Sequence, residues 1–265
     1  MGEAAGWAAA ILATAAAAFL VAWQPGRGAR AFARLREALA TDPTARLRFY
    51  RRSIASKWVL TAIVVGIGAL AAASGHDVGL PPASSRADRG AAWLVTVELL
   101  VLVPATLLVL RMRKPRIERL VDRQVGHLWP ILPVGRAERR AFVGVAITAG
   151  ITEEVIYRWG GITYLRWLAP GSSDLVLIVV LGAAFGLVHW YQGKVGVLLT
   201  GGFGALAALL TLQSGSLVPA VLVHCAIDLR IVGLRPVWLP TPDPPPPPPP
   251  PSPPETDPDV TEAAG

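Results

Sequence analysis

The chain has 265 residues, 53% of them hydrophobic and only 16% charged, with a formal net charge of +7. Its apolar residues are gathered into long blocks rather than spread at core-like periodicity, a distribution that reads as a membrane protein rather than a soluble globule. The positive balance does not point to nucleic acid, because the basic residues flank the apolar blocks and are not grouped with aromatic platforms.

The predicted spans, in chain order, are Trp7 to Trp23, Trp58 to Ala73, Ala91 to Leu110, Ala141 to Leu168, Leu175 to Trp190, Val195 to Leu212 and Leu217 to Val232. The expected fold is therefore all-α, a polytopic transmembrane bundle of about seven helices. Several spans fall short of the roughly 20 residues that cross a bilayer, so these are expected to extend or tilt.

The N-terminal stretch MGEAAGW carries an acid and no Lys or Arg before its apolar run, which argues against a cleaved signal peptide and for a retained first helix. Nine Lys/Arg lie between Gln24 and Lys57 and nine more between Arg111 and Arg140, together 18 of the chain's 25. By the positive-inside rule both segments are cytoplasmic, which places the N-terminus outside and the C-terminus inside a cell membrane.

Within the first basic segment, RAFARLREAL puts Phe32, Leu35 and Leu39 on one face and reads as a helix lying on the membrane surface. A basic loop that only fixes topology is the plainer alternative. Thr41 or Asp42 then caps a new helix with Pro43 in its first turn. Glu98 in the third span belongs to no motif, and a helix–helix hydrogen bond is the expectation for it. Cys225 is the only cysteine, so no internal disulfide can form. From Arg235 the composition shifts to a Pro-rich tail with eight consecutive prolines, Pro244 to Pro251. Such a tail is expected to be disordered or semi-rigid, a spacer first and a ligand for a cytosolic partner second.

A charged side chain at the bilayer centre costs roughly 2.5 to 3.5 kcal/mol on insertion scales. The spans nevertheless hold Glu98, Glu153, Glu154, Arg158, His189, His224 and Asp228, and all but Glu98 fall in the fourth, fifth and seventh. Glu154 and Arg158 are four apart and can pair within their helix. Glu153, rotated by about 100° from Glu154, is left without a local partner. Phe185 and His189 share a face, and Gly182 with Gly186 lets another helix approach closely. His224 and Asp228 are again four apart, so the acid can orient the imidazole. Cys225 turns away from His224 by about 100°, and packing is its expected role.

A carboxylate in a low-dielectric site can take a proton from water, and imidazoles can position that water, bind a metal or stabilise an oxyanion. Peptide hydrolysis uses all three. The chain has no H-E-x-x-H, and no serine in a span lies beside an obvious base. If the fourth span becomes embedded near Ile147, Glu153 lies about 9 Å below the cytoplasmic face, with His189 at similar depth. His224 falls nearer mid-membrane, so the seventh helix must shift or tilt to join them.

The ordered set Glu153-Glu154-x-x-x-Arg158, Phe185-x-x-x-His189 and His224-x-x-x-Asp228 resembles the CPBP intramembrane proteases, the CAAX protease and bacteriocin-processing enzymes. The resemblance covers residues of about 141 to 232. It implies an endopeptidase working near the cytoplasmic side on a peptide or protein substrate, with Glu153 activating water. His189 and His224 would complete the site, Glu154 with Arg158 would support it, and Asp228 closes the last motif. The implied domains are 1–140 for the first helices and basic loops, 141–235 for the catalytic core and 236–265 for the tail. Metal use stays open: His189, His224 and a carboxylate could hold Zn²⁺ with water in the open position, and a glutamate with two histidines also works without one. Two rival readings stand beside the protease, a proton-coupled transporter using the same residues as a relay, and a catalytically silent scaffold or immunity protein.

Overall fold

Inside hydrocarbon no water satisfies the backbone, so apolar runs of this length are driven into helices. In the computed structural model, which describes residues 2–83, 85–111 and 126–233, every regular element among the described residues is helical. Helix α1 (Gly2–Ala18) passes through a π-helical turn (Phe19–Trp23) into α2 (Gln24–Ala38). Then come α3 (Ala45–Ala73), α4 (Arg86–Arg111), a 3₁₀ turn (Gly126–Ile131), and α5 (Arg136–Glu153). A π-helical segment (Glu154–Gly160) joins α5 to α6 (Gly161–Leu168). The chain ends its described part with α7 (Asp174–Val188), a 3₁₀ turn (Trp190–Gln192), α8 (Gly193–Ser214) and α9 (Val218–Gly233).

Taken as continuous rods these are seven among the described residues, in the order of the predicted spans. By length and composition four of the described helices can cross a membrane, Gly6–Ala38, Ala45–Ala73, Arg86–Thr106 and Trp190–Ser214, and Asp174–Val188 is a shorter apolar helix. The other two rods, built on α5 and α9, carry most of the buried acidic, basic and histidine side chains, Glu138, Glu153, Glu154, Arg158 and His224, against Arg46 on α3. The outside is correspondingly apolar: Leu198 is 75% exposed, Leu175 68% and Trp7 66%, the inverse of a soluble surface.

Small residues set how the rods approach. A Cβ built on Gly186 of α7 would stand 2.6 Å from the Val197 carbonyl oxygen of α8, and one on Gly182 would stand 3.0 Å from that of Gly201. The pair predicted from Gly182 and Gly186 is thus the seam between α7 and α8. Gly150 does the same for α5 and α9, since its Cβ would lie 2.3 Å from Cys225 Sγ. Cys225 packs there, as expected.

Three local expectations change. The apolar face of α2 is not free to meet lipid: Phe32 and Leu35 are buried, with the Phe32 ring 5.6 Å from that of Tyr191. Protein burial replaces the surface-lying helix. The second rod begins later than predicted, with Thr44 as N-cap, because the Asp42 carboxylate accepts from the Thr44 backbone N–H and hydroxyl, both at 2.7 Å, and so closes a turn before the helix. Glu98 lies exposed on α4 and makes no hydrogen bond among the described residues, so the helix–helix bond expected of it is not present there. The Pro-rich tail from 236 and residues 112–125 of the second basic segment lie outside the described residues.

Candidate active site

The charged residues of α5 and α9 converge where α5 turns into its π-helical segment. Glu153 is the last residue of α5 and Glu154 the first of that segment. Both are buried, at 7% and 0% exposure, as are Arg158 at 0% and His224 at 4%. Wider turns of this kind shift the register of following side chains, and the i, i+4 pair survives here: Arg158 Nε lies 3.1 Å from Glu154 Oε2. Its Nη2 donates to the Gly204 carbonyl of α8 at 3.2 Å, and the guanidinium sits 4.5 Å over the Phe185 ring.

His224 is brought to this pair by α9, which the glycine at position 150 admits against α5. Its Nδ1 is 2.6 Å from Glu154 Oε1. On the opposite edge Nε2 lies 3.8 Å from Glu153 Oε2 and 3.7 Å from Asp228 Oδ2. α9 thus brings His224 beside both glutamates. The orienting partner differs from the one expected, however. Asp228 stays beyond hydrogen-bond distance, and Glu154, 70 positions away, holds the ring instead. The physical reason is reach: the short aspartate is half-buried toward the side, whereas Glu154 projects straight at Nδ1 from the facing helix.

His189 terminates α7 as its C-cap. Its Nδ1 lies 2.8 Å from the Phe185 carbonyl oxygen, which can only accept, so Nδ1 carries the proton and Nε2 a lone pair. Phe185 ties the set together, its ring 4.7 Å from His189, 5.8 Å from His224 and 5.2 Å from Tyr157. Phe203 closes the other side of His224 at 4.9 Å.

Sequence reasoning missed one charged neighbour. Lys57 of α3 donates its Nζ to Glu153 Oε1, so Glu153 is without a partner only within its own helix. Its second oxygen, Oε2, is buried and makes no hydrogen bond among the described residues. The available signal was slight: Lys57 is the one lysine among the nine basic residues from Gln24 onward, and the last before an apolar run.

The arrangement does not suit the Zn²⁺ considered above. Among the described residues no three His, Cys, Asp or Glu are gathered as a metal would need. The carboxylate that would complete the set is engaged by an ammonium, and His224 already gives one nitrogen to Glu154.

Residues 137–230 match the family model described as Type II CAAX prenyl endopeptidase Rce1-like. No curated protein and no solved structure matches the chain. Glu153, Glu154, Arg158, His189, His224 and Asp228 all fall inside these matched residues, about a third of the chain, and over that part this membrane protein is similar to the CPBP family of intramembrane proteases.

Proposed function

We propose that the chain hydrolyses a peptide bond presented from the cytoplasmic side of the membrane, with Glu153 as the base that activates water. The observation that carries this reading is the two-sided contact on His224, with Glu154 Oε1 2.6 Å from Nδ1 and Glu153 Oε2 3.8 Å from Nε2. One carboxylate holds the ring; the other faces its reacting edge with a free oxygen.

In the proposed step Glu153 Oε2 accepts a proton from water as the water oxygen attacks the carbonyl carbon. His189 Nε2, left as an acceptor by the bond from Nδ1 to Phe185, takes a hydrogen bond from the same water. His224 donates Nδ1–H to Glu154, and Nε2–H, between the carboxylates of Glu153 and Asp228, is the donor for the oxygen that gains negative charge. The proton on Glu153 then passes to the leaving nitrogen, the C–N bond breaks and the carboxylate is restored. Asp228, as an ionised acid, accepts only; it supports His224 rather than contacting the substrate's oxygen. Arg158 compensates Glu154 and seals the site against α8.

The substrate class named by the family description is a CAAX prenyl protein, so a farnesylated CAAX peptide with a fluorophore and quencher is the first probe, beside unmodified peptides. Full-length protein in lipid vesicles should cleave one of them, and Glu153→Gln should lower turnover by about 10²- to 10⁴-fold. Retained turnover in that variant ends the proposal. Proton flux driven by a pH gradient, with no cleavage by the wild type, would replace it with the transporter.

A further inference from the structure

We propose that Lys57, on α3 and outside the residues that match the family, is a positioning residue for this site: its ammonium holds Glu153 ionised and decides which of its two oxygens faces His224. The effect on turnover rests on the hydrolase reading above; the hold on Glu153 rests on geometry alone.

The two oxygens of Glu153 have different surroundings. Oε1 receives the Lys57 ammonium, while Oε2 has no hydrogen bond and lies toward Nε2 of His224. Rotation of the carboxyl would exchange them, and a bond at one oxygen opposes that rotation. A base that must receive a proton at a fixed point gains from such a clamp, because reacting groups misplaced by about 1 Å can lose 10²-fold in rate.

Charge balance makes the same point. Glu153 and Glu154 are consecutive buried carboxylates. The Arg158 guanidinium compensates Glu154, the charge of His224 is shared among Glu153, Glu154 and Asp228, and Lys57 is the only Lys or Arg in ion-pair contact with Glu153 among the described residues. Adjacent carboxylates without enough positive charge share a proton. A protonated Glu153 could not act as base. An opposite charge in contact favours the ionised form, and a lysine supplies it as a compact point charge on a flexible stem.

The placement is deliberate in the fold. α3 packs along α5, and the Lys57 backbone carbonyl one turn below accepts from the buried Thr61 hydroxyl at 2.8 Å. The contact with Glu153 places the Lys57 side chain on the face of α3 that meets α5. A simple tie between two helices would need no such neighbour to a free carboxylate oxygen, and the two roles separate by experiment.

The full-length protein in vesicles is studied with the quenched farnesylated CAAX peptide and, independently, by infrared spectroscopy on protein carrying carboxyl-labelled glutamate, with Glu153→Gln used to assign the Glu153 band. Lys57→Met should replace the ionised Glu153 band at neutral pH with a protonated one. It should also lower kcat on the order of 10²-fold with KM changed less than about threefold. Lys57→Arg should keep the ionised band and most of kcat. Added to Glu153→Gln, the Lys57→Met change should cost nothing further, since it acts through Glu153. Lys57→Gln serves the same comparison should the methionine variant fail to fold. An ionised Glu153 band and wild-type kcat in the neutral variants would overturn the proposal. Wild-type turnover in Glu153→Gln would sink the hydrolase reading alone, because the infrared result needs no cleavage.

Discussion

Gly150 sets how near α9 comes to α5, and replacing it with alanine tests the site through geometry alone. An added Cβ would stand 2.3 Å from Cys225 Sγ, 3.0 Å from the Cys225 backbone nitrogen and 3.3 Å from its Cα. Carbon contacts relax at roughly 3.5 to 4.0 Å. A rotated thiol therefore removes only the worst clash, and the α9 backbone must still retreat by about 0.5 Å. His224 is the adjacent residue and moves with it. The contact at risk is the 2.6 Å bond from His224 to Glu154, together with the approach of Nε2 to Glu153. Overpacking of this kind destabilises by about 1 to 3 kcal/mol, and a displacement of this size should lower kcat by roughly 10- to 10²-fold. The assays are thermal unfolding in detergent and cleavage in vesicles, for Gly150→Ala, Cys225→Ala and the double variant. Cys225→Ala alone should be close to wild type, and the double should recover only part of the loss, because the backbone contact remains. A Gly150→Ala protein with wild-type unfolding and turnover would show that α9 does not depend on this contact, and the argument for how His224 is placed would fail.

Arg158→Met should cost about 3 to 5 kcal/mol in unfolding free energy, because it leaves Glu154 charged in a site with no exposure; adding Glu154→Gln should restore most of the stability but not the turnover, since His224 then loses its carboxylate. Outside the membrane, the bond from Arg48, with those from Thr44, holds the Asp42 carboxyl at about 2 against an ordinary 3.8. This contribution to stability is present above 3.8 and lost as pH falls toward 2, so Asp42→Asn should flatten that part of a curve of unfolding midpoint against pH, and an unchanged acid limb would refute the linkage.

The rods were legible because hydrocarbon leaves the backbone no alternative to helix, so apolar run length alone placed them. Glu154 and Arg158 were legible for a similar reason: both belong to one helix, and the i, i+4 rule held even through a π-helical segment that the sequence did not announce. What joins different helices was not. Asp228 was the natural partner for His224 by spacing, yet the ring turned to Glu154 on a facing helix. Lys57 lies 96 positions from Glu153, and no periodicity links them. The face of α2 was read correctly as apolar, but amphipathicity does not say whether lipid or protein covers it.

For the proposed hydrolysis, position in the site rather than residue type separates the two neighbouring glutamates. Glu154 has a close partner at both oxygens: His224 Nδ1 is 2.6 Å from Oε1, and Arg158 Nε forms an ion pair with Oε2 at 3.1 Å, without hydrogen-bond geometry. Taking a proton there would break a contact that orients the imidazole or one that compensates a fully buried guanidinium. Glu153 uses only Oε1, on Lys57, and leaves Oε2 toward the histidine. Protonation of that oxygen disturbs neither contact of Glu154, so the chemistry can run without loosening the scaffold that aligns it. In the proposed hydrolysis the acid with a charged partner close to each oxygen therefore serves as scaffold, and the adjacent one, with an oxygen left toward the histidine, serves as base.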